Sequence, residues 1–219
     1  MSRWIHEDFE RPDPDMVQSL GEFPTGILSD CMNRFQAMDA GIGPLKAGCR
    51  LCGPAFTVQS MESCNWGGHQ ALSLAKPGDV LVVAARGGTA GAVWGHVMTA
   101  AAKERGVAGV VLDGCVRDWQ DNHEDTLPIF CRGACPGGPH KGWPGNINVP
   151  VSCGGVPVLP GDIVVGDDDG VVAVPKGRAK IVLREAKDRV ATEEEWYRRV
   201  ADGATTADIL GLGPATEAE

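Results

Sequence analysis

The hydrophobic and polar positions of the chain follow two different periods, one typical of strands and the other of helices. Four apolar segments rich in β-branched residues predict strands, at residues 50–60, 79–85, 107–113 and 163–175. Between the second and third of these, apolar residues recur every four positions from Val93 and Trp94 onward, which predicts a helix. Gly106 follows this helix at the position where a helix commonly ends. The order strand, glycine-rich loop, helix, strand over 79–113 therefore predicts a βαβ unit with parallel strands.

Outside this unit the pattern predicts helices near both ends of the chain. Residues 16–34 have an interrupted helical pattern, with Thr25 as a candidate N-cap of its second part. Residues 178–202 predict a long amphipathic helix ended by Gly203, and 163–175 predict a hairpin that turns at Asp169-Gly170. We expect one domain over 1–219, with a core at about 20–203, an arm at 1–14 and a loose tail at 204–219.

Composition and charge exclude several classes of protein. The chain is 43% hydrophobic and 22% charged, as in ordinary globular proteins. The formal net charge of −9 disfavours a nucleic-acid partner, because phosphate binding requires a basic surface. No apolar segment approaches the ~20 residues of a membrane span, and the polar N-terminus does not resemble a signal peptide. We therefore expect a cytoplasmic protein, whose eight cysteines are reduced thiols.

Candidate chemistry follows the strand at 107–113, which is predicted to end at Asp113. Arg117 and Asp118 come next, and the carboxyl ends of parallel strands are where ligands bind in open α/β sheets. The preceding helix begins near four glycines (Gly87, Gly88, Gly91 and Gly95), and amides in a first helical turn attract anions. Arg117 could bind a carboxylate there, whereas Asp118 would need a divalent cation beside it. The alternative is an ion pair that merely caps a strand end.

Three further groups have weaker signals. Asn65–His69 (NWGGH) predict a loop at the pocket edge that could contact a substrate. His140 and Lys141, in a long glycine- and proline-rich loop at 133–149, could close over the site or be simply exposed. The consecutive acids of Asp167–Asp169 fit a hairpin turn better than a calcium loop, in which the acids alternate.

The segment WGHVMTAAAKERGVAGVVLDGCVRD, at 94–118, resembles the RraA-like family. The closer resemblance is to the aldolase branch of that family, the 4-hydroxy-4-methyl-2-oxoglutarate and 4-carboxy-4-hydroxy-2-oxoadipate aldolases. It extends to TGILSDCM at 25–32 and to GNINVPVSCGGVPVLPGDIVVGDDDGVVAVP at 145–175. The segment with the Arg-Asp pair, at 94–118, and the segment at 145–175 are fairly specific for the family only when they occur together.

The resemblance implies a fold, an activity and an assembly. The fold is α/β, a layered β/β/α swivelling domain of the phosphohistidine type that contains the βαβ unit. The activity is a metal-dependent lyase of aromatic degradation that cleaves a 4-hydroxy-2-oxo di- or tricarboxylic acid to pyruvate and also decarboxylates oxaloacetate. The cofactor is Mg²⁺ or Mn²⁺, and the assembly is a homotrimer or homohexamer with sites between subunits.

The resemblance also implies roles for individual residues. Arg117 binds the keto acid and stabilises the enolate, Asp118 holds the metal, and Gly95 with the amides of Val97 and Met98 receives the carboxylate. An acid from the last helix of a neighbouring subunit completes the site, with Glu193 the candidate and Glu194 and Glu195 as alternatives.

His96 departs from the family, which has an acidic residue twenty positions before the Arg-Asp pair. A histidine there could bind the substrate or the metal, serve as a base, or simply replace the acid and weaken the site. Two other functions remain open: a non-catalytic regulator that binds a ribonuclease, as in another branch of the family, and a lyase with a different substrate.

Overall fold

The computed structural model describes residues 4–213. Its helices are α1 Pro14–Gly21, α2 Thr25–Asp30, α3 Trp66–Leu74, α4 His96–Glu104, α5 Trp119–Glu124, α6 Ala179–Ala201 and α7 Thr206–Leu210. Its strands are β1 Gly43–Pro44, β2 Leu51–Gln59, β3 Val80–Trp94, β4 Gly109–Val116, β5 Ile129–Cys131, β6 Gly133–Ala134, β7 Asn146–Ile147, β8 Val151–Cys153, β9 Val156–Val158, β10 Ile163–Asp167 and β11 Gly170–Val174. None of the helices within 4–213 has both the length and the apolar character needed to cross a bilayer.

One mixed sheet dominates the fold. Its strands follow the order β1-β5-β4-β3-β2-β10-β11, with β6 paired to β4 and β7 paired to β2. The edge strands β1 and β11 contact each other, so the sheet is nearly closed into a barrel. A separate hairpin, β8–β9, packs against one face of the sheet, while α3 and α4 cover the other face. The predicted layered β/β/α fold is therefore confirmed.

Two consecutive βαβ units form the centre of this sheet. Strands β3 and β4 are parallel and joined by α4, as predicted, and β2 and β3 are parallel and joined by α3. The second unit was missed, because the predicted loop at Asn65–His69 is in fact the start of α3. Its two glycines, Gly67 and Gly68, are buried where a Cβ would meet Val58 at 2.8 Å and the side chain of Met98 at 2.9 Å.

The predicted glycine-rich loop before α4 is also wrong. Strand β3 continues to Trp94, with register shifts against β4 between Val83 and Trp94, so the glycines lie in an irregular strand. Gly95 is the N-cap of α4 rather than a residue inside it. Strand β4 likewise continues past Asp113 to Val116. Glycine in a strand interior commonly marks such an irregularity, which explains how β3 can remain paired.

The N-terminal arm is held against the body of the protein along its described part. Ile5 forms a bridge with Ile147, and Arg11 makes a two-pronged ion pair with the buried Asp79, both distances being 2.7 Å. In α2 the predicted N-cap is wrong: Pro24 is the cap, and Thr25 is the first helical residue.

The C-terminal elements differ from the prediction in two details. The hairpin turns at Asp168–Asp169 rather than at Asp169-Gly170, because Asp167 pairs directly with Gly170. The carboxylate of Asp167 accepts hydrogen bonds from the Thr25 amide and hydroxyl at 2.8 and 2.6 Å, a structural role. Helix α6 ends before Gly203, as predicted, but the expected loose tail contains α7. Residues 214–219 of that tail lie outside the described residues.

Candidate active site

Arg117 and Asp118 lie at the carboxyl end of β4, directly before α5. The Arg117 amide donates to the Trp94 carbonyl at 2.9 Å, so the pair is fixed beside the end of the neighbouring strand β3. Asp118 adopts a left-handed backbone conformation (φ 56°, ψ 48°), which aspartate tolerates better than most residues. Both side chains are more than a third exposed, and Arg117 Nε lies 3.6 Å from Asp118 Oδ2. An ion pair so exposed contributes little stability, which leaves both groups available for chemistry.

Helix α4 directs its first amide at this pair. The His96 amide donates to Asp118 Oδ2 at 3.1 Å, so that Asp118 caps the helix from a different segment. Gly95 allows this close approach, since a Cβ at this position would lie 2.8 Å from Asp118 Oδ2 and 3.2 Å from Arg117 Nε. The alternative predicted for the pair was the capping of a strand end, whereas Asp118 here caps the N-terminus of α4.

A buried hydrogen-bond chain holds the turn that carries the two residues. The Trp94 indole donates to the Thr99 hydroxyl at 2.9 Å, and this hydroxyl donates to Asn122 Oδ1 at 2.5 Å. The Asn122 amide in turn donates to the carbonyls of Arg117 and Asp118 at 2.7 and 3.0 Å. Local sequence does not identify Asn122, because its hydroxyl partner, Thr99, lies on α4, a different element from the turn that Asn122 holds.

A cavity of about 280 Å³ opens at this point. It is lined by ten residues, seven of them on or directly beside α3, α4 and the Arg-Asp turn: Asn65, His69, Gly95, Val97, Met98, Arg117 and Asp118. Trp94, Pro139 and Lys141 complete the lining. Lys141 therefore faces the cavity, while His140 serves the fold through backbone hydrogen bonds with Ser63 and Asn65.

A larger cavity of about 520 Å³ lies elsewhere, beside the carboxyl end of β2 and the middle of β3. It contains Arg86 and Trp143 but no acidic residue among its lining. We assign the candidate site to the smaller cavity because it combines a guanidinium, a carboxylate and a helix N-terminus.

Some of the backbone amides in the first turn of α4 are hydrogen-bonded within the protein, and others are not. The Met98 amide donates to the Gly95 carbonyl at 2.9 Å, and the Thr99 amide reaches the same oxygen at 3.3 Å. Val97, whose side chain is 80% exposed, is the first-turn residue whose amide has no partner within residues 4–213. Of the two predicted carboxylate-binding amides, that of Val97 is therefore the more accessible.

The His96 ring lies apart from the cavity lining. Its Nε2 is 3.4 Å from Asp125 Oδ2, in a surface depression that also contains Lys103. Burial of Asp125 acts to raise the pKa of its carboxyl. Hydrogen bonds from Lys103, two backbone amides and His96 outweigh it and lower that pKa to about 2. A catalytic or metal-binding role for the His96 ring would require it to leave this carboxylate, and such a role stays a prediction.

Two acids singled out from the sequence have partners within the chain. Asp113 is buried and accepts from Arg132 Nε at 2.6 Å, an ion pair that the sequence did not reveal. Glu193, the acid implied to complete a neighbouring subunit's site, has a partner in its own chain. It accepts from Arg189 at 3.1 Å, and Arg189 also binds Asp30 at 2.8 Å.

The donor set of the cavity fits a hard divalent cation that keeps much of its hydration. Asp118 supplies one carboxylate, and no cluster of three or more His, Cys, Asp or Glu side chains suited to a metal occurs within residues 4–213. Mg²⁺ is commonly bound by one or two carboxylates together with waters and substrate oxygens, whereas structural zinc needs four protein ligands. Asp118 would thus be the ligand from this chain.

Comparisons with known proteins give related sequences and folds. A Halalkalibacterium halodurans protein with the provisional name 4-hydroxy-4-methyl-2-oxoglutarate aldolase is 40% identical over 188 residues, covering 86% of this chain and 90% of its own. The 4-hydroxy-4-methyl-2-oxoglutarate aldolase of Thermus thermophilus is 30% identical over 155 residues, covering 71% and 94%. The crystal structure of Streptomyces coelicolor RraAS2, an unusual member of the RNase ES inhibitor RraA protein family, superimposes with a TM-score of 0.76 at 34% identity. It covers 87% of this chain and 99% of its own.

The family assignment rests on the sequence match as well as on these relatives. The model of the RraA-like family, described as Aldolase/RraA, matches residues 25–173, which include the whole cavity lining. The protein belongs to the RraA-like family.

Proposed function

We propose that this protein is a divalent-metal-dependent aldolase that cleaves a 4-hydroxy-2-oxo di- or tricarboxylic acid to pyruvate, with oxaloacetate decarboxylation as a second activity. The observation that carries the proposal is the meeting of Arg117, Asp118 and the first turn of α4 in one cavity. Two relatives that bear the name 4-hydroxy-4-methyl-2-oxoglutarate aldolase support the substrate class.

Each group has a defined part in this reaction. The open Val97 amide binds the carboxylate next to the keto group, and Arg117 holds the C2 oxygen as it gains negative charge. Asp118 would hold Mg²⁺ or Mn²⁺, which supplies Lewis-acid polarisation of the keto group when bound. A base removes the C4 hydroxyl proton, and the C3–C4 bond breaks as C4 becomes the carbonyl of the second product and C1 to C3 become the pyruvate enolate. Protonation of C3 then gives pyruvate. Oxaloacetate would lose CO₂ through the same enolate.

We also propose a homotrimer or homohexamer, in which a neighbour's Glu193 approaches the site. Large apolar side chains are exposed on the last two helices and beyond: Tyr197 (71%), Val200 (47%), Leu210 (53%) and Leu212 (70%). Exposed apolar groups in such number favour contact with another chain. Light scattering at micromolar concentration should give three or six times the chain mass, and a monomer would contradict this assembly.

A second candidate function is a regulator that binds a ribonuclease without catalysis. It is favoured by the similarity to RraAS2, which is described as a member of an RNase inhibitor family. Such a protein needs a surface rather than a cavity, so it would not need the open amide, guanidinium and carboxylate found together here.

Turnover separates the two functions. The protein is assayed for pyruvate release from oxaloacetate and from 4-hydroxy-4-methyl-2-oxoglutarate, with Mg²⁺, with Mn²⁺ and with chelator. Arg117→Ala and Asp118→Ala should each remove most activity while the fold is kept. Lys176→Ala, which removes a surface ion pair with Glu10 at 3.3 Å, is the matched control and should be fully active. Absence of metal-dependent turnover of either substrate would overturn the aldolase.

A further inference from the structure

The larger cavity, of about 520 Å³, contains a cation that the protein does not neutralise. Its volume lies within the roughly 300–1,000 Å³ that is usual for small-molecule sites. Among the described residues that line it, Arg86 is the one with a charged side chain, and this residue is exposed. No ion pair or hydrogen bond joins the Arg86 guanidinium to any part of residues 4–213. Arg11, Arg132 and Arg189, in contrast, each contact a carboxylate. Arg86 is therefore available to an anion that enters the cavity.

The backbone of Arg86 is strained in a way that the fold does not require. Its φ is 63°, in the left-handed region, at the point where β3 shifts its register against β4 between Val83 and Gly88. Glycine adopts this conformation without a steric penalty, whereas arginine does not. Strained residues of this kind cluster at ligand sites. The conformation thus points to a use for the guanidinium.

Gln59 adds a second donor to the lining of the cavity. The Trp4 amide donates to Asn146 Oδ1 at 3.1 Å, so Asn146 presents its Nδ2 to Gln59 and donates to Gln59 Oε1 at 2.7 Å. This fixes the orientation of the Gln59 carboxamide and leaves its Nε2 without an acceptor among residues 4–213. Gln59 is exposed, as Arg86 is. A guanidinium and a carboxamide N–H are both donors, and without an acid among the described lining they favour a carboxylate.

Trp143 adds a large aromatic side chain to the same lining. The residue is 48% exposed, although the main chain around it is fixed. The Trp143 carbonyl accepts from Cys64 Sγ at 3.3 Å, and a Cβ at Gly145 would lie 2.6 Å from the Gln59 carbonyl oxygen. An indole that is half-exposed on a fixed segment can stack on a flat ring with little loss of conformational freedom.

We infer that the larger cavity is a second ligand site, which binds a carboxylate attached to an aromatic ring. Arg86 and Gln59 hold the carboxylate, and the ring stacks on Trp143. One guanidinium and one amide N–H match a planar, singly charged carboxylate better than a phosphate, which carries more charge and more acceptor oxygens. The inference goes beyond the proposed function, because the two cavities share no lining residue within 4–213.

Binding of small probes to the full-length protein tests the inference. Benzoate is titrated against wild type by ligand-observed NMR, and its Kd should be on the order of 1 mM, as expected for a ligand of so few atoms. Benzamide has the same shape without the charge and should bind about tenfold more weakly. Cyclohexanecarboxylate keeps the charge without the flat ring and should bind about threefold more weakly.

The variants separate the larger cavity from the catalytic one. Arg86→Met should weaken benzoate binding about tenfold, and Trp143→Leu should weaken it about threefold. Arg86→Gly should lose as much affinity as Arg86→Met, with a melting temperature no lower than that of wild type, because glycine relieves the strained backbone. Arg178→Met removes an exposed guanidinium elsewhere and is the matched control, which should leave the Kd unchanged. Arg117→Ala should also leave the Kd for benzoate unchanged.

Four results would overturn the inference. Wild type that shows no saturable binding of benzoate has no such site. An unchanged Kd in Arg86→Met at a wild-type melting temperature would mean that the guanidinium does not hold the carboxylate. Loss of binding in Arg117→Ala would place the probe in the catalytic cavity instead. Tighter binding of phenyl phosphate than of benzoate would contradict the selection of a carboxylate.

Discussion

Gly95 is the residue where a single added methyl group tests the geometry of the site most directly. A Cβ there would lie 2.8 Å from Asp118 Oδ2, about 0.6 Å inside the 3.4 Å at which ordinary contact begins, and would also press on Arg117. The backbone of Gly95 is extended (φ −146°), so alanine adds no backbone strain. A displacement of about 1 Å at a catalytic group can lower the rate about a hundredfold, so a shift of about 0.6 Å should cost roughly tenfold to a hundredfold.

The assay is pyruvate release from oxaloacetate and from 4-hydroxy-4-methyl-2-oxoglutarate at saturating Mg²⁺ or Mn²⁺. Gly95→Ala should lower kcat/KM roughly tenfold to a hundredfold. Its free energy of unfolding should fall by only about 1 kcal/mol, the typical cost of a weakened helix cap. Gly26→Ala is the matched control, because a Cβ at Gly26 in α2 meets nothing within 4 Å. If Gly95→Ala is folded and retains wild-type kcat/KM, the contact between Gly95 and the Arg117-Asp118 pair does not position the catalytic groups.

Three further predictions concern stability. Arg11→Ala should destabilise the fold by about 3–5 kcal/mol in urea unfolding, because it leaves the fully buried carboxylate of Asp79 unpaired; adding Asp79→Asn should recover part of the loss, and a change below about 1 kcal/mol would mean that the arm is dispensable. Arg132→Met should lower the free energy of unfolding by a similar amount, because it leaves the buried carboxylate of Asp113 without its ion-pair partner. An unchanged free energy of unfolding would show that the hydrogen bond from the Gly154 amide to Asp113 is sufficient. The pKa of Asp125 is lowered to about 2, from about 3.9 in unfolded chains, so its stabilising effect should be complete above about pH 4 and disappear as the pH falls through 2. The difference in unfolding free energy between wild type and Asp125→Asn should narrow over this range, and a constant difference would contradict the assigned hydrogen bonds.

The strands were predictable where burial was two-sided, and the glycine-rich segment was not. Valine-rich runs such as that of β4 leave little choice of structure, because a parallel strand covered on both faces must be continuously apolar. Gly87 and Gly88 were predicted to lie in a loop, because glycine in a strand interior weakens the strand. Pairing with β4 outweighed that preference and carried β3 on to Trp94.

The start of α3 was misread for a related reason. Gly67 and Gly68 lower the intrinsic helix preference of NWGGHQ, yet the tight packing against Val58 and Met98 requires residues without a side chain. The sequence alone could have offered Asn65 and His69 as an i,i+4 pair only if the helix had been recognised first.

What the sequence by itself determined was the chemistry at one point of the chain. Local order and spacing identify three features: the adjacent Arg117 and Asp118 after a buried strand, the helix that follows a parallel strand, and the family resemblance. Tertiary structure decided which groups share the cavity. Asn65, Lys141 and Gly95 come from segments up to about 76 residues apart, and the neighbours of a side chain across such distances depend on how the sheet and helices pack. The same packing placed the His96 ring beside Asp125, which follows a different helix. The Arg189–Glu193 pair, by contrast, joins residues four positions apart in α6 and follows from helix periodicity alone.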